Sequence, residues 1–174
     1  ASAAAELRQC FEELGRLGER YFRPLVGALL AQATCADQRY EEALTLVAEV
    51  EAMAAEDDVE AQALWRSVRA KVLARGSLAA AAPRLAREAV ELVASADAPV
   101  LQGDAYVDLG VVLAQMGEAD QALDALGRAR ELYVRKAAVG TLRRVDALVT
   151  GLEALLPAAG ARLAPREPVP LISG

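Results

Sequence analysis

Apolar residues recur along this chain at helical spacing. Ala4, Leu7 and Phe11; Ala43, Val47 and Val50; Ala82, Ala86 and Ala89; and Ala122, Leu126 and Ala129 fall three or four residues apart, which places each set on one face of a helix. Breakers divide these runs. Asp37-Gln38-Arg39, Gly76-Ser77 and Gly117-Glu118 mark tight turns, and Glu56-Asp57-Asp58 and Ala96-Asp97-Ala98-Pro99 mark longer connections. The pattern predicts eight helices, over residues 2–17, 20–36, 40–55, 58–75, 79–95, 99–116, 119–135 and 138–156. Asp57 or Asp58, and Asp97, are the expected N-caps, since their short side chains accept from free first-turn N–H groups. Pro83 is expected in a first turn, where its missing N–H removes no intrahelical bond. From Pro157 onward Pro165, Pro168 and Pro170 forbid a helix, so residues 1–156 read as one helical domain and 157–174 as a Pro-rich tail. Val169, Leu171 and Ile172 are unusual in a disordered segment, and the tail is expected to dock on an apolar surface.

The helical runs repeat. Leu30-Ala31, Arg69-Ala70 and Leu109-Gly110 each precede an Ala by twelve residues from the small position, at Ala43, Ala82 and Ala122, and the copies succeed one another at 39 and 40 residues. Two helices approach to the short end of about 8 to 10 Å only where neither presents bulk, which accounts for small residues at both places. The reading is an all-α stack of antiparallel helix hairpins. Ala4 lies 39 residues before Ala43, so the chain is expected to open on the second helix of a hairpin. An array open at that side is expected to expose a hydrophobic face and to dimerise through its ends.

At Leu109, Gly110, Ala122, Leu126 and Ala129 the sequence resembles the tetratricopeptide repeat. The other copies carry Ala31 and Ala70 where that family has Gly and Arg69 where it has Leu, and the spacing exceeds the family's roughly 34 residues. The resemblance implies a right-handed superhelical stack of about eight helices, with the first helix of each hairpin lining a concave side. Positions six and three before the small residue, and one, four and five after it, would then point inward. They select Leu25, Ala28, Gln32, Cys35 and Ala36; Leu64, Ser67, Lys71, Ala74 and Arg75; and Asp104, Val107, Val111, Ala114 and Gln115. The binding face implied comprises Gln32, Leu64, Ser67, Lys71, Arg75, Asp104, Val107, Val111 and Gln115. Its polar members would bond a backbone or an acidic side chain, and Leu64, Val107 and Val111 would give apolar anchorage. The alternative is a face that is solvated or filled by the chain's own tail. Lys71→Glu with Arg75→Glu is expected to abolish binding of an acidic partner and to leave melting unchanged. More narrowly, LWRSVRAKVLARG, RLAREAVELV and LQGDAYVDLGVVLAQMGEADQAL resemble helical arrays of large bacterial signalling proteins. Those arrays join a nucleotide-cyclase or DNA-binding output domain to a regulatory ATPase, which implies a regulatory segment here.

Composition narrows the function classes. The chain is 55% hydrophobic but 4% aromatic, so its apolar residues are mostly the helix formers Ala and Leu together with Val. A net charge of -6 and a pI near 4.8 oppose binding to nucleic acid or an anionic membrane. With no spanning apolar run and no leader pattern, a cytoplasmic protein is expected. The sequence has no His, no phosphate-cradling glycine motif, and two distant cysteines, so neither catalysis nor a metal or other cofactor is expected. Cys10 and Cys35 read as small buried hydrophobes, too far apart along antiparallel helices to pair. Glu41-Glu42 and Asp57-Asp58 read as helix-start charges rather than acid/base pairs, and Trp65 as a packing anchor between repeats.

Charge is segregated. Residues 37–60 carry nine acids and one base, whereas residues 61–87 carry six bases and no acid. This reads either as a basic stripe for an acidic partner or as neighbouring repeats neutralising each other through solvated pairs. The leading functional expectation is a protein-protein interaction or regulatory module that receives a peptide, a partner domain or a second copy of itself. The other is a small-molecule sensor with a pocket between hairpins.

Overall fold

A computed structural model describes residues 3–136 and 138–154 of the chain. They form α1 (Ala3–Arg16), α2 (Arg23–Ala36), α3 (Tyr40–Met53), α4 (Val59–Leu73), α5 (Ala82–Val93), α6 (Pro99–Gln115), α7 (Ala119–Arg135) and α8 (Val139–Glu153). Among the described residues there is no strand, and the fold is all-α. The tail from Pro157, with the docking expected of Val169, Leu171 and Ile172, lies outside them.

Local chemistry sets the helix ends. Asp58 caps α4, its carboxylate accepting from the Ala61 N–H at 3.1 Å. Asp97 does not cap α6: Ala98 holds the cap position without a side-chain bond, and Pro99 starts the helix with φ already set and no N–H to satisfy. The helix expected over 79–95 divides into a 3-10 turn at Ala79–Ala81 and α5. Pro83 has no N–H for the Ala79 carbonyl and its ring would crowd that carbonyl, so the α-helical ladder begins after it. After α2 and α6 the chain reverses in the same way. Gln38 (φ 62) and Gly117 (φ 79) take the left-handed conformation, and the following N–H groups of Arg39 and Glu118 reach back to Thr34 and Leu113.

Successive helices pack on one another, and α4 also lies against both α2 and α6. The helices α2, α4 and α6 thus form a row, with α3 resting on α2 and α4 and α5 on α4 and α6. The small positions are where the chain closes up. Ala31, Ala43, Ala70, Ala82 and Ala122 are all fully buried. At Gly110 an added Cβ would fall 2.9 Å from the Leu126 side chain, and at Gly103 one would fall 2.6 Å from the Tyr133 ring. Leu64, Trp65 and Val68 of α4 share a core with α1, α2 and α3, and Ala70 joins the core built from α5 to α8. Arg69, which stands where a Leu was expected, lies over the Trp65 ring at 4.7 Å and pairs with Glu51 of α3.

Two glutamines 40 residues apart do the same work. The Gln62 amide donates to the carbonyls of Ala54 and Ala55 after α3, and the Gln102 amide donates to those of Val93, at the end of α5, and of Ala94 and Ala96 after it. Each bonds carbonyls at a helix end, where the intrahelical ladder has stopped.

The expectation that both cysteines are buried fails. Cys10 is exposed, one position off the stripe of Ala4 and Phe11 that faces the core, and Cys35 is only half-buried. The outer face of α1 carries Glu6, Gln9, Glu12 and Glu13, all exposed.

Candidate functional site

The row of α2, α4 and α6 borders an open cavity of about 550 Å³. From α2 come Leu29, Gln32, Ala33, Cys35 and Ala36, from α4 Lys71, from the turn after it Arg75, and from α6 Asp104, Asp108, Val111 and Gln115. Leu7 of α1, Tyr40 of α3 and Arg144 of α8 complete the lining.

Six residues of the expected face therefore meet at this cavity: Gln32, Lys71, Arg75, Asp104, Val111 and Gln115. Leu64, Ser67 and Val107 do not; they are 7%, 3% and 3% exposed and packed between helices. The reason is angular. Ser67 and Val107, like Ala28, stand three residues before the small position, nearly one turn away, and so share its buried face. Leu64 is drawn into the core beside Trp65 and Val68.

Two polar pairs form the cavity's floor. The Lys71 ammonium donates to the Asp108 carboxylate at 2.8 Å, with side chains 15% and 6% exposed. The Tyr133 hydroxyl donates to the Asp104 carboxylate. Burial pushes the Asp104 carboxyl above its ordinary range, the Asp108 charge adds to this, and the Tyr133 bond and the Arg144 charge only partly oppose it. Burial also raises the Tyr133 hydroxyl, reinforced by Asp104. The Cys35 thiol is raised by burial too, against the pull of Lys71 and Arg75, so it is not an activated nucleophile.

Above this floor, donors are left over. Arg75 lies over the Tyr40 ring at 4.7 Å, and among the described residues neither Arg75 nor Arg144 has a carboxylate within ion-pair distance. The Gln32 and Gln115 amides make no hydrogen bond among the described residues. Guanidinium and amide groups converging on an open concavity suit carboxylates and peptide backbone.

The segregated charges resolve mostly into pairs between helices. Arg66 faces Glu88, Arg69 faces Glu51, Lys71 faces Asp108 and Arg87 faces Glu118, while Arg84 pairs with Glu88 within α5. A basic stripe is thus not left open, and Lys71 in particular is committed to a buried partner. Lys71→Glu with Arg75→Glu would set two carboxylates side by side in a desolvated place, so it disturbs folding and is not the clean test of binding expected above.

Sequence reasoning missed Asp108 and Arg144. Asp108 stands two residues before its small position, where the earlier copies have Leu29 and Val68. A carboxylate in an apolar register was the available signal. Arg144 follows Leu64 and Asp104 at the same 40-residue step. The chain matches no model of a known protein family, and comparison with curated proteins finds no match.

Proposed function

We propose that the chain is a non-catalytic protein-protein interaction module, a tetratricopeptide-like stack whose cavity along α2, α4 and α6 holds an acidic, extended or helical segment of a partner protein. The convergence of Arg75, Arg144, Gln32 and Gln115, with no protein hydrogen bond or ion pair among the described residues, carries this reading. The repeat reading is supported by the buried small positions at steps of 39 and 40 residues and by the matching roles of Gln62 and Gln102. Resemblance to arrays of bacterial signalling proteins supports a cytoplasmic regulatory segment of a larger signalling or transcription-regulatory protein.

The test is binding of fluorescent Glu- and Asp-rich peptides, followed by anisotropy. Arg75→Glu with Arg144→Glu, both exposed, should remove binding without changing the melting temperature. Undiminished binding by this double variant would overturn the assignment of the face.

A second reading, effector sensing, is favoured by the size of the cavity, which lies within the roughly 300 to 1,000 Å³ of small-molecule sites. Stabilisation by a metabolite in a thermal-shift screen, with no peptide bound, would support it instead.

A further inference from the structure

A second concavity, of about 580 Å³, opens between the α1–α2 and α3–α4 connections, and its character is opposite to that of the first. One side is aromatic. Tyr21 and Phe22 are 79% and 57% exposed, their rings in edge contact with centroids 4.9 Å apart. Apolar rings this bare are normally covered in a water-soluble domain unless they meet something else. They are also held in place: the Glu19 carboxylate accepts from the N–H groups of Tyr21, Phe22 and Arg23, tying the connection to the start of α2. The opposite side is acidic, with Asp57, Asp58 and Glu60 against Arg20 as the cation in the lining.

These acids belong to the run between Asp37 and Glu60 that carries nine carboxylates. Glu42 and Glu51 of that run have basic partners. Asp57 and Glu60 have none among the described residues, and Asp58 is engaged only with the N–H of Ala61. The basic stretch of 61–87 is largely spent in pairs between helices, so the charge left open on this side of the sequence is negative.

We propose that the groove between the Tyr21–Phe22 pair and the Asp57–Glu60 rim is a docking surface for a basic, extended segment of a partner protein, one that alternates Lys or Arg with aliphatic residues. Charge complementarity selects the occupant. The cationic groups meet the carboxylates and the faces of the rings, where cation–π contact adds to charge, and the aliphatic residues cover the exposed aromatic carbon. An acidic segment, the occupant proposed for the first cavity, is repelled here. The two surfaces therefore take partners of opposite charge.

The probe is a fluorescent octapeptide of alternating Lys and Leu, titrated against the full chain, with its Glu-Leu counterpart as control. The Lys-Leu peptide should bind saturably, with affinity falling as salt rises, and the Glu-Leu peptide should not compete at this groove. Asp57→Lys with Glu60→Lys, and separately Tyr21→Ala with Phe22→Ala, should each weaken binding by about tenfold or more with helicity and melting temperature unchanged. Equal binding by both double variants, absence of saturable binding, or equal binding of the Glu-Leu peptide would overturn the proposal. If either pair of changes unfolds the protein, a benzophenone-bearing probe on the unaltered chain decides. Crosslinks at residues 20–25 or 55–60 support the groove, and crosslinks elsewhere overturn it. Arg75→Glu with Arg144→Glu should leave this binding intact, which separates it from the first cavity.

Discussion

Lys71 and Asp108 meet at 2.8 Å across the α4–α6 interface, the aspartate almost wholly withdrawn from water. A buried pair contributes less by existing than it costs to break, since removing one member strands the other's charge. Asp108→Ala should therefore destabilise by about 3 kcal/mol or more, whereas Lys71→Met with Asp108→Leu should return close to the original stability. The double change restores the aliphatic residue that the earlier copies carry at the position of Asp108. Urea midpoints of the parent and the two variants check this, and a double variant as unstable as the single one would contradict it.

The close approach of α6 and α7 rests on Gly103. Gly103→Ala should force the Tyr133 ring off Asp104 and cost about 1 to 3 kcal/mol. Gly127, also helical, has nothing within 4 Å of an added Cβ, so Gly127→Ala should stabilise by about 0.5 to 1 kcal/mol. Opposite shifts in melting temperature from the same chemical change are the expected result.

The register of the small positions is tested by enlarging them. Ala82→Leu or Ala122→Leu, at fully buried sites, should cost about 1 to 3 kcal/mol, and Ala80→Leu at an exposed site should be near neutral. Three equal shifts in denaturant midpoint would disprove the register.

Asp104 and Glu51 should respond to pH with opposite signs. Burial raises the folded-state pKa of Asp104, so the folded protein holds its proton longer, and stability falls as pH climbs from the ordinary carboxylate range through that raised value. Relative to the parent, Asp104→Asn should gain stability as pH climbs above the ordinary carboxylate range. Glu51 is lowered, chiefly by the hydrogen bond from Arg69, so its contribution is present above the ordinary carboxylate pKa and lost as pH falls through its lowered value. Glu51→Gln should cost at most about 1 kcal/mol near neutrality, since the pair is part-exposed, and nothing in acid. Urea midpoints across the pH range measure both.

The helices were legible because apolar spacing and turn residues agree, and the small positions because interhelical distance leaves no alternative. Other features depend on three dimensions. Ser67 and Val107 are buried because a residue three places before the small position shares the buried side of its helix, which linear spacing alone does not show. The split at Pro83 turns on one missing donor, and Cys10 on a face one position off the stripe. The Lys71–Asp108 pair could be suspected from a carboxylate in an apolar register, but its partner, 37 residues away, is fixed only by the packing of α4 on α6. The pairing of the basic stretch with neighbouring helices was one of two open readings, and the geometry decides it for four of its six members.

The amides of Gln62 and Gln102 also set an order of opening. Each spans a connection and fastens the start of one helix to the end of the helix before it. At the same step α8 has Leu142, which has no N–H to offer from its side chain, so the junction of α7 with α8 lacks this fastening. Opening should begin there and travel inward, with α8 amides exchanging their hydrogens with solvent sooner than those of α6. Leu142→Gln should slow that first step, lengthening the cooperative unit by one helix.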